Sequence, residues 1–402
     1  MKKLFTLLFL CGIVSLYAQE TVKFSGQIRP RIEMSNKDFS DKINPNTYAE
    51  LRSRVNMLFS PLSTLKAFVQ VQDSRVMGTE PSTMANTANL DLHQAYFELS
   101  DFLFDGLSVK AGRMEAAYAN ERLVGAVDWS NIGRSFDGVT LIYRGKNYQA
   151  DFFTFVERER QQPGDRNDLF FLGNHWKLKF SENFTLQPFI YYQKFMPADS
   201  LSRFTVGFHS SEVFGNFFGE VEGAYQFGDL KTGGKKISIS AFLAAVNIKY
   251  VIDAPTKPAI GAGIDIISGD KDAADDKYGQ FNTLYATNHK FYGFMDYFTD
   301  LPAHTGNKGL MDIHFNAGFA PADKWSFYLS AHIFNTMEDV TLLPGNTSKA
   351  LGTEIDATFT WKYNANLTFN GGGGIFSPGE LFKTTRGDKM STWLYLMTIV
   401  NL

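Results

Sequence analysis

The segment that decides the fold is VKFSGQIRPRIEM, residues 22–34. Its two sets of alternate positions differ in character: Val22, Phe24, Gly26, Ile28, Pro30, Ile32 and Met34 on one side, and Lys23, Ser25, Gln27, Arg29, Arg31 and Glu33 on the other. Side chains in a β-strand point alternately to opposite faces, so the segment predicts a strand with one apolar and one charged face. The next strand repeats the pattern, with apolar residues alternating with Glu50, Arg52 and Arg54. Alternation alone leaves both a soluble β-sandwich and a barrel open.

The lengths of the connections favour a barrel. About eighteen strands alternate along the chain, and the connections after even-numbered strands are mostly short, such as 60–63 and 145–147. The connections after odd-numbered strands are mostly long: 35–46, 75–89, 115–134, 157–167, 269–309, 335–350 and 377–390. A transmembrane barrel with both termini in the periplasm has short turns there and long loops outside, whereas a Greek-key sandwich has no reason to sort loops by parity. The sequence therefore predicts an all-β, antiparallel, up-and-down transmembrane barrel of about 18 strands.

The first 18 residues have the pattern of a cleavable secretory signal. Two lysines precede an apolar stretch of about a dozen residues that ends at Ala18, which is too short for a spanning helix of about 20 residues. We therefore expect residues 1–18 to be removed and residues 19–402 to form the barrel, with no room for a plug domain. Cys11 leaves with the signal, so no disulfide or cysteine metal site is expected.

Composition and charge indicate the partners and the cellular location of the mature chain. The net charge of −3 argues against a nucleic-acid partner, and aromatic residues make up 15% of the chain. Aromatic residues near strand ends suit the girdles at the two membrane interfaces: Tyr48, Phe59, Tyr143, Tyr148, Trp176, Trp325, Trp361 and Trp393. We expect a monomer in contact with lipid and lipopolysaccharide, in the outer membrane of a Gram-negative bacterium.

Two stretches resemble the alginate-export family of outer-membrane barrels. The first carries ERLVG at 121–125, DW at 128–129 and GRSFDG at 133–138. The second carries SGD at 268–270, FNTLY at 281–285, TNHK at 287–290 and FYGFMD at 291–296. Supporting similarities at 50–56, 91–99 and 351–356 spread over most of the mature chain. The resemblance implies an eighteen-stranded barrel without a plug, which passes an anionic polysaccharide or another solute through a charged lumen narrowed by loops.

The charged faces of the strands predict the lining of the lumen. The candidate solute-binding residues are Arg29, Arg31, Glu33, Glu50, Arg52, Arg54, Arg134 and Arg144. Rings of arginine select anions, and a guanidinium group can hold a carboxylate through two hydrogen bonds. The alternative is a ladder of Arg–Glu pairs that only braces the interior. Acidic residues on later strands would face this basic wall: Glu220, Glu222, Asp312, Glu354 and Asp356.

The connection 269–309 is predicted to fold over or into the pore, because loops beyond about 15 residues are usually functional or disordered and this one is rich in aromatic residues. Its candidate constriction residues are Asp270, Phe281, Tyr285, Asn288, His289, Lys290 and Tyr292. The aspartates at 270, 272, 275 and 276 begin like an EF-hand loop, but the central glycine and the final glutamate are missing. An exposed acidic loop near lipopolysaccharide and its divalent ions is the favoured interpretation.

The sequence lacks the motifs that are typical of enzymes. The chain has no His-Glu-x-x-His, Gly-x-Ser-x-Gly or P-loop motif, and its seven histidines are scattered without metal-ligand spacing, so we expect no enzyme, cofactor or metal site. The sequence predicts a channel for a polar, anionic solute or saccharide. A general diffusion porin and a surface adhesin with a blocked lumen remain open as alternatives.

Overall fold

The computed structural model describes residues 22–40, 44–80, 82, 84, 89–158, 168–196, 200–343 and 345–402. The predicted signal peptide, residues 1–18, lies outside this part of the chain. No helix within the described ranges is long and apolar enough to cross a membrane.

Eighteen long antiparallel strands account for most of the described chain. They are β1 (Val22–Asn36), β2 (Asn46–Leu62), β3 (Leu65–Val76), β4 (Leu90–Leu99), β5 (Leu107–Met114), β6 (Phe136–Arg144), β7 (Tyr148–Arg158), β8 (Leu169–Lys179), β9 (Phe184–Phe195), β10 (Leu201–Phe214), β11 (Phe217–Thr232), β12 (Lys235–Val251), β13 (Ala259–Ile267), β14 (Leu310–Ala322), β15 (Trp325–Leu343), β16 (Asn346–Lys362), β17 (Leu367–Pro378) and β18 (Ser391–Asn401). The remaining elements are short: a two-residue strand (Lys277–Tyr278), a 3-10 turn (Asn288–Lys290), α1 (Leu301–His304) and α2 (Glu380–Thr385).

The eighteen strands close on themselves. Each pairs with its neighbours in sequence, and β1 also pairs with β18, from Gln27 opposite Asn401 to Asn36 opposite Thr392. At the seam the amides of Gly26 and Leu402 each donate to the other residue's carbonyl oxygen. Because the barrel is closed, the sheet has no unpaired edge. A sheet that spans a lipid bilayer must be closed in this way, since lipid offers no partner to backbone N–H and C=O groups. The predicted antiparallel barrel of about 18 strands is therefore confirmed.

The two faces of the barrel wall invert the arrangement of a soluble protein. Apolar side chains point outward, as shown by Val55 and Leu396, which are 62% and 59% exposed. Charged side chains point inward and are buried, as shown by Arg52 at 1% and Glu354 at 0%. The parity of residues 22–34 and 47–59 thus assigns the apolar face to lipid and the charged face to the lumen.

The connections sort by length as the parity predicts. Those after even-numbered strands span two to seven residues and define the turn end of the barrel. Most of those after odd-numbered strands are longer and define the loop end. The expectation of a long loop at 335–350 is wrong, because β15 continues to Leu343 and β16 begins at Asn346. Register shifts near Asn335 and Val340 accommodate this irregular extension.

The prediction that Tyr48 and Trp393 belong to the aromatic girdles is wrong. Trp393 is 1% exposed and donates its indole Nε1–H to Glu33 over 2.8 Å, and the Tyr48 hydroxyl donates to the same carboxylate over 2.9 Å. Both belong to the inward parity of their strands and line the lumen. By contrast, Trp325 and Trp361 stack at 5.1 Å next to the turn end, where a girdle would lie.

A lysine on the lipid-facing side should destabilise the barrel according to its depth. Val246 lies outward in the central part of β12 and is 42% exposed. Val246→Lys is expected to lower the free energy of unfolding by about 2–4 kcal/mol, as for basic residues near the bilayer midplane. Ser238→Lys, on the same face but nearer the loop end, should cost about 0–1 kcal/mol. Urea unfolding in lipid vesicles would measure both. Equal costs would contradict the depths assigned to the two positions, and no cost at Val246 would contradict the assignment of the faces.

Candidate solute pathway through the lumen

Two connections fold into the lumen instead of projecting from the loop end. The first inward loop is residues 115–135, between β5 and β6, and the second is residues 268–309, between β13 and β14. Both contribute fully buried side chains: Leu123, Val124, Phe281, Tyr292, Met295, Phe298 and Leu301. The interior is therefore a layer of packed loop held between the charged faces of the strands.

The basic wall of β1 and β2 holds the first inward loop by its backbone carbonyl groups. Arg29 donates to the carbonyl oxygens of Asp128 at 2.6 Å and Ser130 at 2.8 Å. Arg31 donates to the carbonyl oxygen of Trp129 at 2.6 Å, and its guanidinium group lies 4.2 Å from the centre of that indole. Guanidinium groups have only donors, so they match a loop that presents carbonyl oxygens.

A carboxylate of the same loop lies among the arginines. The Asp128 carboxylate accepts from Arg52 at 2.7 Å and lies 3.8 Å from both Arg29 and Arg54. Desolvation by the surrounding protein opposes ionisation of Asp128, whose side chain is 71% exposed, but Arg52, Arg29 and Arg54 outweigh it and lower the pKa of this carboxyl. The ion pair therefore persists into mildly acidic solution, since a lowered pKa means that it is lost only as pH falls through that lower value.

The acidic wall holds the second inward loop by the opposite backbone groups. The amide N–H of Met295 donates to Glu354 at 2.7 Å, and that of Phe294 donates to Asp356 at 3.3 Å. Gly293 makes this approach possible, because it has φ +79° and a Cβ there would lie 2.5 Å from the Glu354 carboxylate. The basic wall thus binds backbone carbonyl oxygens, and the acidic wall binds backbone N–H groups.

Arg122 crosses from the first inward loop to the acidic wall. It is 1% exposed, donates to Glu222 on β11 at 3.1 Å and to Asp265 on β13 at 2.5 Å, and lies 4.0 Å from the Phe291 ring. It also donates to the Tyr292 hydroxyl at 3.2 Å. Burial opposes the charge, but Asp265, Tyr292 and Glu222 raise the pKa of Arg122 further above its usual range.

The two inward loops are bonded to one another. Val124 and Tyr285 form an isolated parallel β-bridge, in which Gly125 N donates to Tyr285 O and Tyr285 N donates to Leu123 O, both at 2.9 Å. Arg134 donates to the carbonyl oxygens of Tyr285 and Ala286. The loops form one assembly that spans the lumen from the basic to the acidic wall.

This assembly separates two polar cavities. The loop-end cavity has a volume of about 320 Å³ and is lined by residues that include Arg31, Lys37, Arg134 and Asp296. The turn-end cavity has a volume of about 280 Å³ and lies along the acidic wall. Between them His289 stacks on Trp129 at 4.3 Å and on Phe294 at 5.2 Å. Trp129 and His289 line the loop-end cavity and Phe294 lines the turn-end cavity, so this aromatic stack forms a partition between them.

The predicted lumen residues divide into three groups. Arg29, Arg52 and Arg54 are buried against the first inward loop, as in the bracing alternative. Four others line the loop-end cavity and can meet a solute: Arg31, Glu33, Glu50 and Arg134. Arg144 lies apart at the turn end, 45% exposed, where it donates to Ser108 at 3.0 Å and pairs with Glu98.

The predicted constriction residues all belong to the second inward loop, in different roles. Phe281 and Tyr292 form its buried core, Tyr285 bridges to the first inward loop, and Asn288 cross-links the loop through Thr283 and Thr299. His289 forms the partition and Lys290 pairs with Glu121. Asp270 is buried at the loop base and accepts from Gly279 N, apart from the exposed carboxylates at 272, 275 and 276.

Several pathway residues were not predicted. Arg122, Trp129, Lys37 and Phe294 were not singled out, since none lies in an alternating strand. One signal could have found three of them, because Arg122, Trp129 and Phe294 all fall within the stretches that carry the family resemblance. Lys37 follows directly on β1 and carries no such signal.

Solved outer-membrane porins share this fold. OccAB4 of Acinetobacter baumannii superposes with a TM-score of 0.66 at 10% identity, over 95% of this chain and 98% of that chain. OpdL of Pseudomonas aeruginosa has a TM-score of 0.65 at 8% identity, with coverage of 95% and 98%. OccK8 (OprE) of the same organism has a TM-score of 0.60 at 13% identity, also with coverage of 95% and 98%.

Sequence comparison supplies the family. No curated protein sequence matches this chain. The family described as alginate export matches residues 20–395, which is nearly the whole chain. The chain therefore belongs to the alginate-export family and is an outer-membrane β-barrel channel of Gram-negative bacteria.

Proposed function

We propose that this channel passes small polar solutes and prefers those that carry a negative charge. The observation that carries the proposal is the loop-end cavity, where Lys37 and Arg134 have no carboxylate within ion-pair distance among the described residues. An anion that enters from the loop end would reach these two cations before it reaches the partition formed by His289.

The carboxylates of the loop-end cavity already have partners. Glu33 forms an ion pair with Arg31 and accepts from Tyr48 and Trp393, and Glu50 pairs with Arg31. The Asp296 carboxylate accepts from His289 at 2.8 Å. The lining carries three basic and three acidic side chains, so its formal charges balance, but Lys37 and Arg134 have no carboxylate at ion-pair distance among the described residues and a solute can meet these two charges. A lumen with unpaired cations selects anions.

The size of the cavities argues for a small solute. Volumes of about 320 and 280 Å³ are near the lower end of the range for sites that hold one small molecule. A polysaccharide chain would need a continuous open path, whereas the two inward loops are bonded to both walls and to each other. Passage of one sugar unit or a small organic acid fits the geometry better than passage of a polymer.

The proposed orientation places the turn end in the periplasm. The first and last strands meet at the seam, where Gly26 of β1 and Leu402, which follows β18, lie next to each other at the turn end. Transmembrane barrels have short periplasmic turns and longer outer loops. With residues 1–18 removed as a signal, the mature chain would begin and end on the periplasmic side.

Two measurements on the purified protein test the proposal. In planar bilayers with a salt gradient, the reversal potential should show anion preference. In liposome-swelling assays, monosaccharides and small organic acids should enter faster than oligosaccharides. Equal rates for anions, cations and neutral sugars would support a general diffusion porin, and no conductance would support a barrel with a blocked lumen.

Substitution of Lys37 should change selectivity without changing the barrel. Lys37→Gln removes a cation that contacts only the Trp393 ring, at 5.5 Å, among the described residues. Anion-to-cation permeability is expected to fall about two- to fivefold, since removal of one nearby charge at effective solvent screening is worth of the order of 0.5–1 kcal/mol. The matched control is Lys146→Gln, in an exposed turn at the other end. Equal reversal potentials in the two variants would contradict the role of Lys37.

A further inference from the structure

We propose that Asp312, His314 and His332 form a binding site for a divalent transition-metal ion, with Zn²⁺ the best fit, on the acidic wall of the lumen. The site is distinct from the cations of the loop-end cavity. The positions of these side chains define the site, which is independent of the solute that the channel passes.

Strand pairing brings together three residues that the sequence separates. Asp312 and His314 are alternate residues of β14 and share its inward face, and His332 on β15 lies directly opposite His314. One ligand atom from each residue lies within 4.8 Å of the other two. The expectation of no metal site rested on spacing along the sequence, which does not detect ligands on paired strands.

The distances suit a tetrahedral ion. The Asp312 carboxylate lies 2.8 Å from His332 Nδ1 and 3.5 Å from His314 Nδ1. Ligands bound to Zn²⁺ at about 2.0–2.2 Å in a tetrahedron lie about 3.4 Å from one another. In such a site the Asp312–His332 separation would widen by about 0.6 Å, and a pair of ligand atoms at the 4.8 Å limit would close by about 1.4 Å.

Hydrogen bonding orients His314 as a ligand. Its Nε2 lies 2.6 Å from the amide oxygen of Asn247, whose amide nitrogen is directed at Glu220 at 3.5 Å. With Nε2–H donating to Asn247, neutral His314 has a lone pair at Nδ1, directed at the Asp312 carboxylate. Two lone pairs facing each other favour a cation between them. A histidine that donates its second N–H to an oxygen is the usual arrangement around zinc.

The charge of the wall also favours a cation. Asp312 is 0% exposed, and its Oδ1 atom has no hydrogen-bond partner among the described residues. Asp265 lies directly opposite on β13, and Arg122 pairs with Asp265 but not with Asp312. The Asp312 carboxylate is thus buried beside a second carboxylate with only imidazole groups in contact. Buried charges are normally paired or coordinate metals.

The ligand set selects the type of ion. Two imidazoles and one carboxylate suit zinc and related metals, whereas calcium and magnesium prefer oxygen ligands alone. His314 and His332 also line the turn-end cavity, together with Ser330. The fourth coordination position would face this cavity, where an oxygen of a bound solute could occupy it.

Metal binding to the mature protein, extracted from outer membranes into detergent and dialysed against a chelator, tests the proposal. Titration with Zn²⁺ by calorimetry is expected to show one site per chain with a Kd in the micromolar range or tighter. His314→Ala and His332→Ala should each weaken binding at least tenfold. His304→Ala is the matched control, because His304 lies in α1 away from the cluster and its loss should leave one site.

A second readout covers variants that fold poorly. Co²⁺ should give the visible absorption of a four-coordinate histidine site in the wild type, and Asp312→Asn, which keeps the side-chain size, should lose it while retaining the heat-dependent gel mobility of a folded barrel. The alternative is a hydrogen-bonded Asp–His pair that only neutralises the interior. Zinc binding that is the same in the wild type and a His314→Ala/His332→Ala double variant would overturn the proposal in favour of that alternative.

Discussion

Deletion of residues 271–306 is expected to raise the single-channel conductance several-fold. The segment carries the buried part of the second inward loop and one side of the aromatic partition between the cavities. Ohmic conductance follows the narrowest cross-section of a water-filled path. The deletion removes Tyr297 and Phe298, on which Phe39 and Phe382 pack, and leaves the first inward loop in place.

The barrel is expected to survive this deletion. β13 pairs with β14 along the whole length of β13, from Ala259 opposite Gly318 to Ile267 opposite Leu310. The cut ends are already adjacent, since Asp270 N donates to Asn307 O at 2.6 Å, so two glycines would join them. Glu354 and Asp356 would lose the backbone N–H groups they accept from but would gain water.

Deletion of residues 272–275 alone is the matched control. These residues belong to the same connection but are exposed outside the packed layer. Their loss should leave conductance within the scatter of the wild type. If both deletions left conductance unchanged, the path for ions would have to run elsewhere and the partition formed by Trp129, His289 and Phe294 would not limit flow.

Strand-level features were predictable because they depend on local periodicity. In β1, the two-residue alternation places Arg29 and Arg31 on one face whatever the rest of the chain does, and lipid then decides which face is outside. The fold class and strand count follow from this rule applied repeatedly. The same rule failed at 335–350, where irregular register hides the strands. At Trp393 the parity correctly pointed inward, but the aromatic character of the residue suggested the lipid interface.

Contacts within the lumen could not be predicted in this way. Arg29 binds the carbonyl oxygen of a residue 99 positions away, and any loop that presents carbonyl groups would satisfy it equally. Whether a basic wall braces a loop or meets a solute therefore depends on where that loop packs, which carries no periodic signal. The stretches that resemble the alginate-export family were the better guide, since they contain Arg122, Trp129, Arg134 and His289.

Removal of Arg122 should release the first inward loop. Arg122→Leu leaves Glu222 and Asp265 buried without their cation, and breaking a buried ion pair from one side costs about 3–5 kcal/mol. This loss lowers the free energy of docking of the first inward loop and leaves the barrel intact, because the strands that carry the two carboxylates remain paired. We expect faster proteolysis within residues 115–135 and a noisier, larger conductance, while the barrel keeps its heat-dependent gel mobility.

Two further variants separate the loss of charge balance from the loss of packing. The triple variant Arg122→Leu/Glu222→Gln/Asp265→Asn removes the stranded charges with the arginine, so it should recover most of the lost protection. Arg113→Gln is the matched control, because Arg113 pairs with Asp137 at 2.7 Å on the outward face of the barrel and, among the described residues, has no part in holding either inward loop. If Arg122→Leu were no more susceptible to protease than Arg113→Gln, the bridge from the first inward loop to the acidic wall would not hold that loop in the lumen. Recovery of protease protection in the triple variant would show that Arg122 is required to neutralise Glu222 and Asp265. Without those two charges on the acidic wall, the first inward loop would no longer need the buried cation.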